Sequence, residues 1–168
     1  SMRSEPTEDG PPHSARFIMR GLCHDESPPA GDYLKVAREK ANANQWDDAI
    51  RAYDDALRLD ANSAVAYTGR AAAHSNKGAT DLAVTDYTKA IQLDAKALGA
   101  YNGRAAMYES KGDHDRAIAD YGRTIQLASP QDKIEAILAY MSRADIYSRQ
   151  NQSALALPDY EKAIAVAA

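Results

Sequence analysis

The chain has 168 residues, enough for one ordinary domain or a short repeat array with a buried core. Its net charge of −4 and pI near 5.5 exclude the broadly basic surface that holds nucleic acid or an anionic membrane. Ala dominates the apolar residues and ten Tyr accompany one Phe and one Trp, a composition for helices packed through small side chains, while the single Cys23 excludes an internal disulfide and a Cys-rich zinc site.

Residues 1–29 are rich in Pro, Ser, Gly and acids, the composition of a mostly disordered tail. Residues 14–24 form an apolar island inside it, with Phe17, Ile18 and Leu22 placed to dock on whatever follows, either as a bound peptide or as an N-terminal cap. Ser1-Met2 reads as an expression remnant, so a signal peptide could precede the native sequence. No apolar run reaches the length of a membrane span. A soluble chain is expected, cytoplasmic or, had a signal peptide been removed, periplasmic or secreted.

From residue 30 onward the chain repeats itself. Tyr33, Tyr67, Tyr101 and Tyr140 line up at spacings of 34, 34 and 39, each followed four residues later by Ala37, Ala71, Ala105 or Ala144. Ala49, Ala83, Ala117 and Ala156 recur further on, then Tyr53, Tyr87, Tyr121 and Tyr160, then Leu59, Leu93, Leu127 and Val166. The units are 30–63, 64–97, 98–131 and 132–168. In each, apolar and small residues fall at three- and four-residue steps on both sides of a breaker: Asn44, Gly78, Gly112 or Asn151. The spacing predicts four helical hairpins, none of which buries its apolar face without its neighbours. Five extra residues lengthen the first helix of the last unit, for which Ser129-Pro130 supplies a start signal. Pro158 makes the final helix begin late or kink, and the chain stops at Ala168 without a polar capping helix.

An aromatic and a small residue in the first helix, a turn, then Ala and an aromatic in the second, every 34 residues, resemble the tetratricopeptide repeat (TPR) family. The resemblance covers residues 30–168 and departs from the pattern at Ala61 and Ala95, where Pro usually closes a repeat. It implies an all-α fold, a right-handed α-solenoid of four TPR hairpins, and a concave face lined mostly by the first helices. It also implies a non-catalytic module that binds a protein or peptide.

Arg70, Arg104 and Arg143 recur in the first helices of the last three units, and Asp86, Asp120 and Asp159 recur in their second helices. The first unit has Val36 and Ala52 instead, so both partners vanish together, and a structural Arg–Asp pair is expected in each later unit. The alternative is that these arginines face the groove and bind a carboxylate or phosphate. Asp113-His114-Asp115 looks like a metal trio, but adjacent helical residues diverge and the acids suit a helix N-terminus. No metal, no cofactor and no catalytic residue are expected: there is no phosphate-binding glycine loop and no nucleophile with a base.

By the resemblance, the groove is lined by Leu34, Lys35, Arg38 and Asn42; by Val65, Thr68, Gly69, Ala72 and Asn76; by Gly99, Asn102, Gly103, Ala106 and Ser110; and by Leu138, Ser142, Asp145 and Arg149. Chaperone-binding members grip an acidic C-terminal tail with Lys, Asn and Arg from three first helices. The matching places here hold Leu34, Arg38, Gly69, Gly99 and Gly103 or, one repeat on, Thr68, Ala72, Gly103, Leu138 and Ser142, so that clamp is missing in both registers. Gly99, Gly103 and Ala106, with Gly69 and Ala72, predict a smooth floor on which a partner helix or strand lies close to the backbone. The other reading is that the repeats tolerate glycine there. The groove charges, Arg38, Glu109, Asp145 and Arg149, are mixed in sign and predict modest salt dependence. Three other roles stay open: a docking site for the chain's own N-terminal segment, a homo-oligomeric scaffold stacking through the last helix, or a regulatory or targeting domain of a longer protein.

Overall fold

The computed structural model describes residues 28–168, and among them it contains eight α-helices and no strand. They are α1 (Ala30–Asn42), α2 (Trp46–Leu59), α3 (Ala64–Asn76), α4 (Thr80–Leu93), α5 (Leu98–Ser110), α6 (His114–Leu127), α7 (Lys133–Arg149) and α8 (Ser153–Ala167). The island at 14–24 lies outside the described residues.

Each hairpin turns at the residue whose chemistry permits it. Gly78 and Gly112 sit at φ 77°, and Asn44 and Asn151 at φ 58° and 59°, the left-handed region that Gly and Asn enter at least cost. Three residues after the end of each first helix, a backbone N–H reaches back five positions: Gln45 to Lys40, Ala79 to His74, Asp113 to Tyr108 and Gln152 to Tyr147. That is the Schellman closure, and it satisfies carbonyls the helix would otherwise leave open. The four turns are therefore one device used four times.

Within a hairpin the two helices meet through alanines with no exposed surface, such as Ala37 with Ala49, Ala71 with Ala83, and Ala105 with Ala117. The methyl side chain lets the axes approach closely. Each second helix then packs on the first helix of the next hairpin. Successive first helices also touch one another (α1 with α3, α3 with α5, α5 with α7), whereas successive second helices do not. The array therefore curves with α1, α3, α5 and α7 on its inner face and α2, α4, α6 and α8 on its outer face.

One expectation about the last unit needs correction, and of the two outcomes expected at Pro158 the late start is overturned. Ser129-Pro130 does not begin the helix; it forms a turn in which the Ser129 amide and hydroxyl donate to Asp132 Oδ2 at 2.8 and 2.6 Å, and α7 starts at Lys133. Pro158 does not delay α8, which already begins at Ser153 and carries the proline inside it. The carbonyl at 154 that loses its partner belongs to an exposed residue, so water can supply the missing bond. α7 has 17 residues against 13 in α1, α3 and α5, a little over one extra turn.

Candidate functional site: the inner face of the first helices

The inner face is held by cross-helix ion pairs set behind it. Arg70 Nε and Nη2 donate to Asp86 Oδ2 and Oδ1 at 2.7 and 2.8 Å; Arg104 makes the same two bonds to Asp120 at 2.7 and 2.9 Å, and Arg143 to Asp159 at 2.7 and 2.7 Å. Two parallel bonds fix the guanidinium plane as well as its position. Each arginine also lies over an aromatic ring of its own helix: Arg70 over Tyr67, Arg104 over Tyr108 and Arg143 over Tyr147. Hydrogen bonding to the aspartates holds all three guanidiniums above their ordinary range, against the opposing pull of burial. With both prongs engaged, these arginines are tied into the hairpins rather than offered to a ligand. Arg70 and Arg104 also reach back one unit, donating to Asp54 Oδ1 at 2.7 Å and Thr88 Oγ1 at 3.2 Å.

The glycine floor is corrected. A Cβ on Gly69 would lie 2.3 Å from Tyr53 Cζ, and one on Gly103 would lie 2.2 Å from Tyr87 Cζ. Real Cβ atoms do not come so close to a ring, so both glycines exist for tyrosines of this same chain. The ring from each second helix fills the notch of the following first helix, and the room is not left for a partner. Ser142 holds the equivalent place beside Tyr121. Burial pushes the Tyr87 and Tyr121 phenols up to about 12. Gly99 differs, since an added Cβ would meet only Thr68 Cγ2 at 3.9 Å.

Asn102 is also not a groove residue. It is buried, and its side-chain amide donates to the Glu135 carbonyl at 3.0 Å, fastening α5 to the start of α7. Asp145 accepts a bond from the Tyr160 hydroxyl, and Arg149 pairs with Glu109 across the last two units. Leu34, Thr68, Ala72 and Ala106 are half-buried, while Arg38, Asn42 and Asn76 are exposed.

What the structure brings together is smaller than the full row. Arg38, Val65, Thr68, Gly69 and Gly99 line one cavity of about 360 Å³, with Tyr53, Ala64, Asp94, Ala97 and Ala100 completing its walls. It spans the first three units and is mainly apolar, with one guanidinium and one carboxylate. Asn42, Asn76, Ser142, Asp145 and Arg149 lie outside it. Sequence reasoning passed over an exposed apolar stripe at four- and three-residue steps along α7, Ile134, Leu138 and Met141, of which only Leu138 was placed in the groove. The extra turn of α7 supplies Ile134, 79% exposed, and the helical step of four would have revealed it.

Asp113 accepts from the Arg116 amide at 3.2 Å, the N-terminal cap of α6. Among the described residues no group of three His, Cys, Asp or Glu could hold a metal, and no helix is long and apolar enough to cross a membrane.

An all-α array of stacked hairpins with a curved inner face is the architecture of a repeat-built protein–protein interaction module. Tetratricopeptide repeat models match residues 64–96 and 97–168, and the chain belongs to the TPR family. Among solved structures it is similar to MamA, at 26% identity and TM-score 0.75 over 90% of this chain and 85% of that one. It is also similar to the Arabidopsis OM64 TPR domain, at 28% identity and TM-score 0.60 over 65% and 89%. The first TPR of Spaghetti (RPAP3), solved with an HSP90 peptide, shares the fold at 22% identity and TM-score 0.67 over 77% and 98%. No curated protein matches significantly.

Proposed function

We propose that the chain is a non-catalytic module that binds one extended or helical segment of a partner protein along its inner face. The observation that carries this reading is the cavity between α1, α3 and α5, walled by Val65, Thr68, Gly99 and Ala100 and flanked by Arg38. Leu138 and Met141, exposed on α7, hold the repeat positions that Gly99 and Thr68 hold in the cavity wall. Shape and apolar burial supply the affinity, and the Arg38 guanidinium favours an acidic or amide oxygen at one point of the bound segment. The acidic chaperone tail gripped by a Lys–Asn–Arg clamp is not the expected ligand, because Gly69, Gly99, Gly103 and Leu138 stand where the gripping side chains would be.

The test is affinity capture from the native source with a Val65→Glu/Leu138→Glu double variant. Both side chains are 52% exposed, so the fold should melt within a few degrees of the parent. The expected result is loss of the protein retained by the parent. Retention of the same protein at the same level would overturn the groove reading.

A further inference from the structure

One row of the inner face carries opposite charges at its two ends and none between. Arg38, Ala72, Ala106 and Asp145 hold the same repeat position in the four first helices, so the row reads cation, methyl, methyl, carboxylate. Arg38 and Asp145 are exposed, and neither enters an ion pair with another described residue. The Asp145 carboxylate accepts from the Tyr160 hydroxyl, and Asp94, on the cavity wall, accepts from the Lys96 amide of its own loop at 2.9 Å. Apolar surface lies on the same helices: Val65 and Gly99 wall the cavity, and the exposed Leu138 holds their repeat position on α7.

The chain itself holds a segment of the complementary order. Residues 16–26, outside the described residues, read RFIMRGLCHDE, with Arg16 and Arg20 toward one end, Asp25 and Glu26 at the other, and Ile18 and Leu22 among apolar neighbours. Ser27-Pro28-Pro29 joins this segment to α1, where Gly31 holds the repeat position of Val65 and Gly99. The segment therefore leaves α1 at the row that walls the cavity. Packed helices stand about 10 Å apart and an extended chain covers about 3.3 Å per residue, so each first helix is crossed in about three residues. Counting back from Pro28 in those steps, Asp25 falls at α3, Leu22 at α5 and Ile18 near α7. The flank of α1 on the side away from α2 and α3 is a poorer seat, because Asp32, Lys35 and Glu39, all exposed, hold the places of Ala66, Gly69 and Ala73.

We propose that residues 16–26 are a tethered occupant of the inner face, lying across the first helices with Asp25 and Glu26 at Arg38, Leu22 in the cavity, Ile18 at Leu138 and Arg16 toward Asp145. The inference rests on the groove reading above and adds that a partner segment must displace the chain's own. A short tether gives an effective concentration of about a millimolar, so contacts too weak to hold a separate peptide suffice.

Cys23 is the chain's one cysteine, so a nitroxide attached there in the isotope-labelled full chain reports where the segment rests. NMR line broadening is expected at Thr68, Gly99 and Leu138 on the inner face, and not at Lys89 on the outer face. It should be lost from Gly99 and Leu138 in a Phe17→Ser/Ile18→Ser/Leu22→Ser variant, whose changes lie outside the repeats. Arg38→Glu should weaken it, and adding Asp25→Lys/Glu26→Lys should restore it. No broadening at Gly99 and Leu138, or equal broadening in parent and triple variant, would overturn the proposal. So would broadening confined to Asp32, Lys35 and Glu39, which means a cap on α1, or broadening passed from a labelled copy to an unlabelled one, which means a second copy's groove. Capture from the native source separates this inference from the groove reading: the triple variant should retain several-fold more partner than the parent. Equal retention would overturn the displacement and leave the groove standing, whereas no retention by either protein would remove the groove reading and leave the label result to decide the segment's seat.

Discussion

Gly69 and Gly103 carry more of the packing than their size suggests, because each is the socket for a tyrosine ring sixteen residues before it. In an exposed helix, Gly→Ala stabilises by about 0.5–1 kcal/mol. At Gly103 the added methyl must displace the Tyr87 ring, and overpacking of that kind costs about 1–3 kcal/mol, so Gly103→Ala is expected to destabilise. Gly99→Ala, with nothing nearer than 3.9 Å, is expected to stabilise by the helix-propensity amount. Urea unfolding of the two variants reads opposite signs if the socket is real and the same sign if it is not.

The tyrosines in those sockets also set an alkaline limit. Burial favours the neutral phenol, so Tyr87 and Tyr121 hold their protons up to about 12 in the folded state, against an ordinary 10. A group whose folded pKa is raised contributes stability that is complete below its unfolded pKa and lost as pH rises through the folded one. Stability is therefore expected to fall between about pH 10 and 12, with tyrosinate absorbance rising together with unfolding. Tyr87→Phe should move that limb to higher pH; an unmoved limb would mean the phenol is not what titrates.

At the scale of helices, two kinds of ion pair look alike in the sequence and differ in burial. Arg104 and Asp120 are 17% and 10% exposed at the side chain and joined twice, whereas Lys111 and Asp81 are 48% and 86% exposed and joined once. Asp120→Ala strands a guanidinium between two helices and is expected to cost about 2–3 kcal/mol, against at most about 0.5 for Lys111→Ala. Melting of both variants in low and high salt checks the contrast, and only the lysine pair should be salt-sensitive. Pro158 gives a prediction of the opposite sign. It sits inside α8 with five helical residues ahead of it, so Pro158→Ala restores a backbone bond and is expected to raise stability by about 1–3 kcal/mol, read as a higher Tm.

At the scale of the molecule, how much could be read beforehand depended on the range of the interaction. The hairpins were legible because helix periodicity and the left-handed turns at Asn44, Gly78, Gly112 and Asn151 are local. The Arg–Asp pairing was legible because the first unit lacks both partners, at Val36 and Ala52. The glycine sockets were misread because a helical wheel places Gly103 on the inner face but says nothing of Tyr87, which belongs to the preceding unit. The signal was present as Tyr53 with Gly69 and Tyr87 with Gly103 at one offset, but it required comparing neighbouring units rather than aligning them. Asn102 failed for the same reason, since its partner, the Glu135 carbonyl, lies in the extra turn of α7. Functional reading is weakest where it depends on which apolar residues remain uncovered, and that is a property of the stacked array rather than of any repeat.

The groove reading stands or falls on where a bound protein touches the chain. Photo-crosslinking in the native source, with a photoreactive side chain at Thr68 on the inner face and another at the exposed Lys89 on the outer face, measures this directly. The account predicts one discrete adduct from position 68 and none from position 89; an adduct from 89 alone would contradict it.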